Sequence, residues 1–198
     1  MQVNKSKFTQ FDELMSFAKA SFISFAMALL LGLSSWISIP LGPVPITMQL
    51  TIVFLIGILL PIKYAVFSLL VYLLLGASGV PIFADGKSGF SVIIGPTGGY
   101  LLGFLIAVAL ISFLTKDVRN NYLNNIQNKN NLKIIFACLA GSLIILGMGV
   151  GWGKVLTGLP WTEIIRSWFL PFLPGLFVKI ALALIISIKL LKTKITLR

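Results

Sequence analysis

Apolar residues run along this chain in long blocks, and charged residues punctuate the blocks rather than alternating within them. Residues 20–62, 64–84 and 88–115 carry no charge at all. A bilayer core of about 30 Å takes roughly 20 apolar residues per helix. Pro40, Gly42, Pro43 and Pro45 divide the first block, and Pro61 closes its second half before Lys63. Gly79-Val80-Pro81 closes the next block, and the start of the third is rich in glycine and proline. A polar, Asn-rich stretch from Lys116 to Lys133 separates it from the last two apolar runs, which an amphipathic connection from Gly158 to Trp168 joins. The pattern predicts an all-α membrane protein, a single integral membrane domain over 1–198. Its six transmembrane helices fall at about 17–39, 46–60, 64–80, 97–115, 134–157 and 170–190.

Charge then orients the helices. With the N-terminus inside, Lys5, Lys7, Lys19, Lys63, Lys116, Arg119, Lys129, Lys133, Lys189, Lys192, Lys194 and Arg198 fall on inner segments, and only Lys87, Lys154 and Arg166 on outer ones. That asymmetry follows the positive-inside rule and, with an even number of helices, places both termini in the cytoplasm. Lys5 and Lys7 before an apolar stretch resemble a signal peptide. However, Asp12 and Glu13 interrupt the basic region and Ser34-Ser35-Trp36 is no small-x-small cleavage site, so the segment reads as a retained first helix.

Composition narrows the chemistry. The chain is 58% hydrophobic and 11% charged, against about 25% charged residues in an ordinary soluble domain. Its net charge of +11 sits at the ends of apolar runs, not in a basic stripe interleaved with aromatics, so it signals topology and not nucleic acid. There is no histidine and there are five acids in all, which argues against metal hydrolases, histidine triads, proton relays and any metal site. The single cysteine, Cys138, lies in an apolar run and reads as a small buried hydrophobe. The glycine-rich run Gly147-Met148-Gly149-Val150-Gly151-Trp152-Gly153-Lys154 is not a phosphate-binding loop, which needs glycine at Met148 and Ser or Thr at Val155. No cofactor and no ATPase of its own are therefore expected.

The candidate functional residues concentrate on the outer side. Gly42-Pro43-Val44-Pro45, Pro81 through Phe90 and Gly95-Pro96-Thr97-Gly98-Gly99-Tyr100 are rich in glycine, proline and aromatics, a composition suited to a lidded pocket as well as to tight turns. Lys179 lies about nine residues into the sixth predicted helix, roughly 13 Å deep. A cation at such depth costs at least about 3 kcal/mol on insertion scales and so points to an anionic partner. Asp85 is one candidate; a ligand carboxylate is another. Thr47 and Gln49, at the outer start of the second helix, can either cap it or hydrogen-bond a polar head group. Ala20, Ser24, Ala28 and Gly32 form a small-residue stripe on the first helix, fit for internal packing or for docking another membrane subunit.

Four ordered runs then carry a resemblance. These are Gly42-Pro43-Val44-Pro45-Ile46-Thr47-Met48-Gln49; Gly79-Val80-Pro81-Ile82-Phe83-Ala84; Gly95-Pro96-Thr97-Gly98-Gly99-Tyr100-Leu101-Leu102-Gly103-Phe104; and Pro171-Phe172-Leu173-Pro174-Gly175 followed by Lys179. Together they resemble BioY, the biotin-binding S component of energy-coupling factor (ECF) transporters. The resemblance implies a six-helix vitamin-binding subunit of a bacterial inner membrane, with its pocket near the outer face. It implies biotin as ligand, a transmembrane coupling subunit with two ATPases as partners (though some members lack them), ATP use by those partners only, and the helix 1 stripe as docking surface.

Carried over by position, Lys179 matches the lysine of the family's Pro-Gly-acid-x-x-Lys motif, while Phe83, Asp85-Gly86 and Tyr100 match positions around the pocket. Leu176 stands where the family has its acid, removing an acceptor for the ureido N–H donors, a loss of about 1–3 kcal/mol unless Asp85 or Gln49 replaces it. The expected pocket lies between helices 3, 4 and 6 and the outer loops after helices 1, 3 and 5. The expected function is biotin uptake, not enzymatic catalysis; the same fold binding another small vitamin-like carboxylate is the alternative.

Overall fold

The computed structural model describes residues 3–40, 42–121 and 127–193. Lys194 and Arg198 of the basic tail lie outside these residues. The first helix, α1, runs Val3–Ser35, followed by a two-stranded antiparallel hairpin of β1 (Ser38–Ile39) and β2 (Ile46–Thr47), with Ser38 opposite Thr47. Next come α2 (Gln49–Leu59), α3 (Ile62–Ala77), a 3-10 turn over Ala84–Gly86, α4 (Phe90–Ile94) and α5 (Gly98–Leu114). The chain continues through α6 (Lys116–Asn121), α7 (Gln127–Thr157), α8 (Trp161–Ile164), a π-helical turn over Ile165–Phe169 and α9 (Phe172–Lys192).

Several boundaries differ from the sequence expectation, each for a local reason. The first helix stops at Ser35, not at 39, because residues 38–39 enter the hairpin. For the same reason α2 starts at Gln49 and not at 46. The break at Pro61 falls as its chemistry requires: Leu60 is extended, with ψ 143°, and Pro61 opens α3. Short helices α4, α6 and α8 and the hairpin were not expected, since none carries a long apolar run.

Helix α2 is the centre of the molecule. Every residue of it except Ile52 is buried, and it packs on α1, α5 and α9. A helix apolar all round belongs in a protein core or in hydrocarbon, and here other helices cover it. Its C-terminal carbonyls cannot find water there, so side chains from α5 and α6 satisfy them. Arg119 Nη1 donates to the Ile58 and Leu60 carbonyls at 3.3 and 2.9 Å, and the Ser112 hydroxyl donates to Leu60 at 2.7 Å.

Around α2, α5 lies along α7, and α1 along α3. The outer faces of the long helices carry Phe22, Leu74, Leu143, Phe136 and Phe177, each more than 60% exposed, a belt that water would penalise and hydrocarbon accepts. Among the described residues, three helical stretches are long and apolar enough to cross a membrane: Phe17–Ser35, Lys129–Thr157 and Trp161–Lys192. Helices α2, α3 and α5 are apolar but shorter.

The small-residue stripe of α1 is not a free surface. Ala20, Ser24, Ala28 and Gly32 are all buried within this chain. The Ser24 hydroxyl donates to the Tyr64 carbonyl of α3 at 3.2 Å, and a Cβ on Gly32 would lie 2.9 Å from that of Ile82. The stripe lets α1 approach α3 and the segment after it, as expected of internal packing, one of the two uses its small residues suit.

Candidate ligand-binding cavity

Where the hairpin, the starts of α2, α5 and α9 and the middle of α7 converge, the helices leave an open-mouthed cavity. Its empty space is about 560 Å³ when the solvent at its mouth is included. Val44, Pro45 and Thr47 come from the hairpin, Gln49 and Leu50 from α2, and Phe83 and Ala84 from the loop after α3. Thr97, Tyr100, Leu101 and Phe104 come from α5 and its approach, Ile145 and Leu146 from α7, and Phe172 and Lys179 from α9. The lining is apolar and aromatic, with three neutral polar side chains and one cation, and it holds no Asp or Glu.

Six of the residues singled out from sequence line this one space: Thr47, Gln49, Phe83, Thr97, Tyr100 and Lys179. The cavity's walls differ from the expected ones. Helix α3 contributes no lining residue, because Phe83 stands in front of it, and the connection after α7 contributes none. Helices α2 and α7 contribute instead.

The aromatic wall is fixed by glycine on the opposing helix. The Tyr100 ring stacks on Phe172, with ring centres 5.3 Å apart, and on Trp168 at 6.5 Å, and its hydroxyl donates to the Trp168 carbonyl. Its remaining face sits over Gly149 of α7, where a Cβ would lie 2.3 Å from the ring. Phe83 is fully buried and meets Tyr72 edge-on at 5.4 Å.

Lys179 is 5% exposed, seven residues after Phe172 and so about 10 Å along α9. Its side chain lies back over the first turns of the helix, with Cε and Nζ each 3.9 Å from where a Gly175 Cβ would stand. Among the described residues it has no ion pair and no hydrogen-bond acceptor. Leu176 is buried, 6% exposed, and does not line the cavity.

Asp85 and Gly86 lie outside the lining, and Asp85 is not the counter-charge of Lys179. Both residues have positive φ, 60° and 68°, as the chain curls through the 3-10 turn and closes on itself with Phe83 N–H donating to the Lys87 carbonyl at 3.0 Å. That turn carries the Asp85 carboxylate to the hairpin, where it accepts from the Ser38 hydroxyl and lies 3.5 Å from Lys87 Nζ. Two further bonds reinforce the joint: the Ser35 hydroxyl donates to the Phe83 carbonyl and Trp36 Nε1 to the Pro81 carbonyl, both at 3.0 Å. The acid braces the cavity roof. Replacing it with alanine removes one exposed hydrogen bond, worth about 0.5–1.5 kcal/mol, and one exposed ion pair, worth little. Asp85→Ala is therefore expected to speed ligand dissociation by no more than about tenfold. Measured off-rates check this, and a loss as large as that of a cavity-lining substitution would place Asp85 against the ligand instead.

Sequence reasoning missed Val44, Pro45, Leu50, Ala84, Leu101, Phe104, Ile145, Leu146 and Phe172 as lining residues. Six of these stand inside the four runs quoted above, which was a usable signal. Leu50, Ile145 and Leu146 stand in none, and in a membrane helix an apolar residue facing a cavity looks the same as one facing lipid.

Comparison with known proteins agrees with this architecture. The model of the BioY family matches residues 5–195. The chain is 35% identical over 161 residues to biotin transporter BioY2 of Lactococcus lactis subsp. cremoris, covering 81% of this chain and 82% of that protein. It is 48% identical over 87 residues to biotin transporter BioY of Thermotoga maritima, 44% of this chain and 52% of that one. Its fold matches the 2.1 Å crystal structure of the S-component for biotin from an ECF-type ABC transporter, with a TM-score of 0.77, 27% identity, and coverage of 88% of this chain and 92% of that one. With its long apolar helices, lipid-facing belt and cavity, this multi-pass membrane protein belongs to the BioY family.

Proposed function

We propose that this chain captures biotin in the cavity and carries it across the membrane as the substrate-binding subunit of an ECF-type transporter. The observation that carries the reading is the buried Lys179, with no ion pair or hydrogen-bond acceptor among the described residues, in a mainly apolar and aromatic cavity. A small amphipathic acid supplies what each wall lacks. Phe83, Tyr100, Phe104 and Phe172 offer flat surfaces for its bicyclic ring. Thr47, Gln49 and Thr97 offer neutral donors and acceptors, and Lys179 offers a charge-assisted contact to an accepting group of the ligand. The protein is a transporter subunit and not an enzyme.

In this reading the whole chain is one unit of six crossings, formed by α1, α2, α3, α5, α7 and α9, with both ends on the cytoplasmic side of a bacterial inner membrane. Support comes from the excess of inner Lys and Arg. At 11 residues α2 is about 16 Å long and does not reach across a bilayer core by itself. The hairpin before it completes the crossing, and a cavity opening there is compatible with non-helical backbone buried in protein. The run before Lys154 lacks a phosphate-binding pattern, so the energy for reorientation comes from separate coupling and ATPase subunits.

Equilibrium binding of radiolabelled biotin to the purified protein tests the proposal. Saturable binding is expected, and no binding at micromolar biotin would overturn it. The second reading, another vitamin-like carboxylate, is favoured by one observation: Leu176 stands where the resemblance puts an acid, and the lining among the described residues has no Asp or Glu. Displacement of bound biotin by an unlabelled vitamin of that class, at lower concentration than biotin itself requires, would select it.

A further inference from the structure

Tyr72 takes no part in the cavity lining, yet it touches two residues that do. It lies on α3, fully buried, behind the wall. Its ring meets Phe83 edge-on, and its hydroxyl receives a hydrogen bond from Gln49 Nε2. The other end of the same amide, Oε1, accepts from the Thr47 hydroxyl at 2.9 Å. Gln49 is thus a buried amide, 4% exposed, held at both ends by hydroxyl groups.

A primary amide has two N–H donors and two acceptor lone pairs. The two bonds consume one of each and leave one N–H and one lone pair free. Hydroxyls donate or accept, so reversing the amide, with Tyr72 donating to Oε1 and Nε2 donating to Thr47, leaves the same free pair. The complement of that pair is an adjacent C=O and N–H, the edge of a cyclic urea, lactam or carboxamide.

We infer that Tyr72 is a positioning residue: it holds Gln49 so that the amide presents a donor–acceptor pair to a urea- or amide-type edge of the ligand. The inference rests on the biotin reading, whose ureido ring carries such an edge. It also supplies what the lining needs without Leu176 being an acid, since an amide oxygen replaces a carboxylate as acceptor.

The test is a double-mutant cycle on biotin affinity with Tyr72→Phe, Gln49→Leu and the pair. Phenylalanine keeps the ring that supports Phe83 and deletes only the hydroxyl. Tyr72→Phe is expected to weaken biotin binding about 3- to 10-fold, as one lost hydrogen bond does. Because Tyr72 acts through Gln49, the double variant is expected to bind no more weakly than Gln49→Leu alone. Losses that multiply in the double variant, or unchanged affinity in Tyr72→Phe, would overturn the role of Tyr72 while leaving biotin binding standing. Wild-type protein that binds no biotin would overturn both. As a second readout independent of folding, the preference for biotin over a ureido-N-methylated analogue should narrow in Tyr72→Phe; a preserved preference would count against the inference.

Discussion

Substitution of Lys179 by methionine is expected to weaken biotin binding by about 10- to 150-fold, and at the same time to raise the melting temperature of the ligand-free protein. The first half follows from the loss of one charge-assisted hydrogen bond, about 1.5–3 kcal/mol. The second half follows from what the cation does without a ligand. Lys179 is buried and has no acceptor or counter-ion among the described residues. Removing an uncompensated buried charge relieves its desolvation cost, while methionine keeps the unbranched stem that packs over Gly175. Opposite signs for affinity and stability distinguish a ligand receptor from a structural residue. A lysine that served folding would lose both together, and one that served neither would change neither. Biotin titration and thermal unfolding of the same detergent preparation read out both.

The second large effect is expected at Gly149. Alanine there brings a methyl group to 2.3 Å from the Tyr100 ring. The ring cannot retreat, because Phe172 and Trp168 stack on it and its hydroxyl is tied to the Trp168 carbonyl. Overpacking of this kind costs about 1–3 kcal/mol in a close-packed core. Since Tyr100 also lines the cavity, Gly149→Ala is expected to lower both thermal stability and biotin affinity. The comparison is Gly147→Ala on the same helix. No atom lies within 4 Å of a Cβ at Gly147, so alanine meets nothing there and is expected to be neutral or, through helix propensity, to stabilise by up to about 1 kcal/mol. Equal effects at the two glycines would show that helix flexibility, and not the fit of Tyr100, is what these positions provide.

The glycine-rich run shows how far the sequence could be read. Its composition excluded a nucleotide loop and suggested close packing, but not which glycine receives which ring. Gly149 and Gly153, four residues apart, face Tyr100 and Trp168, whereas Gly147 and Gly151 face no neighbour. That division depends on how α7 is rotated against α5. In a soluble helix the polar face would have revealed the rotation; here lipid-facing and core-facing residues are equally apolar. The same ambiguity hid Leu50, Ile145 and Leu146 as cavity residues, and left the α1 stripe readable either as docking face or as internal seam.

Asp85 falls outside the cavity lining for a different reason. The sequence places it near the pocket and supplies a lysine in want of an acid, but a positive-φ turn decides which way its carboxylate goes, and here it goes to Ser38 and Lys87. Gln49 illustrates the opposite case. Its polarity at the start of an apolar helix was visible, but its constraint by Tyr72, 23 residues away, was not.

What the sequence by itself determined is the solvent and the sign. Runs of apolar residues and the position of the charges require a bilayer, and one cation inside an apolar run points to a partner of opposite character, because both follow from transfer energies that belong to residues singly. What only the tertiary structure decided is which atoms meet. The convergence of Thr47, Gln49, Phe83, Thr97, Tyr100 and Lys179 on one cavity, the diversion of Asp85 to its roof and the closing of the α1 stripe against α3 depend on helix rotation and backbone turns. Those are set by packing between segments distant in the chain, which no single residue's chemistry encodes.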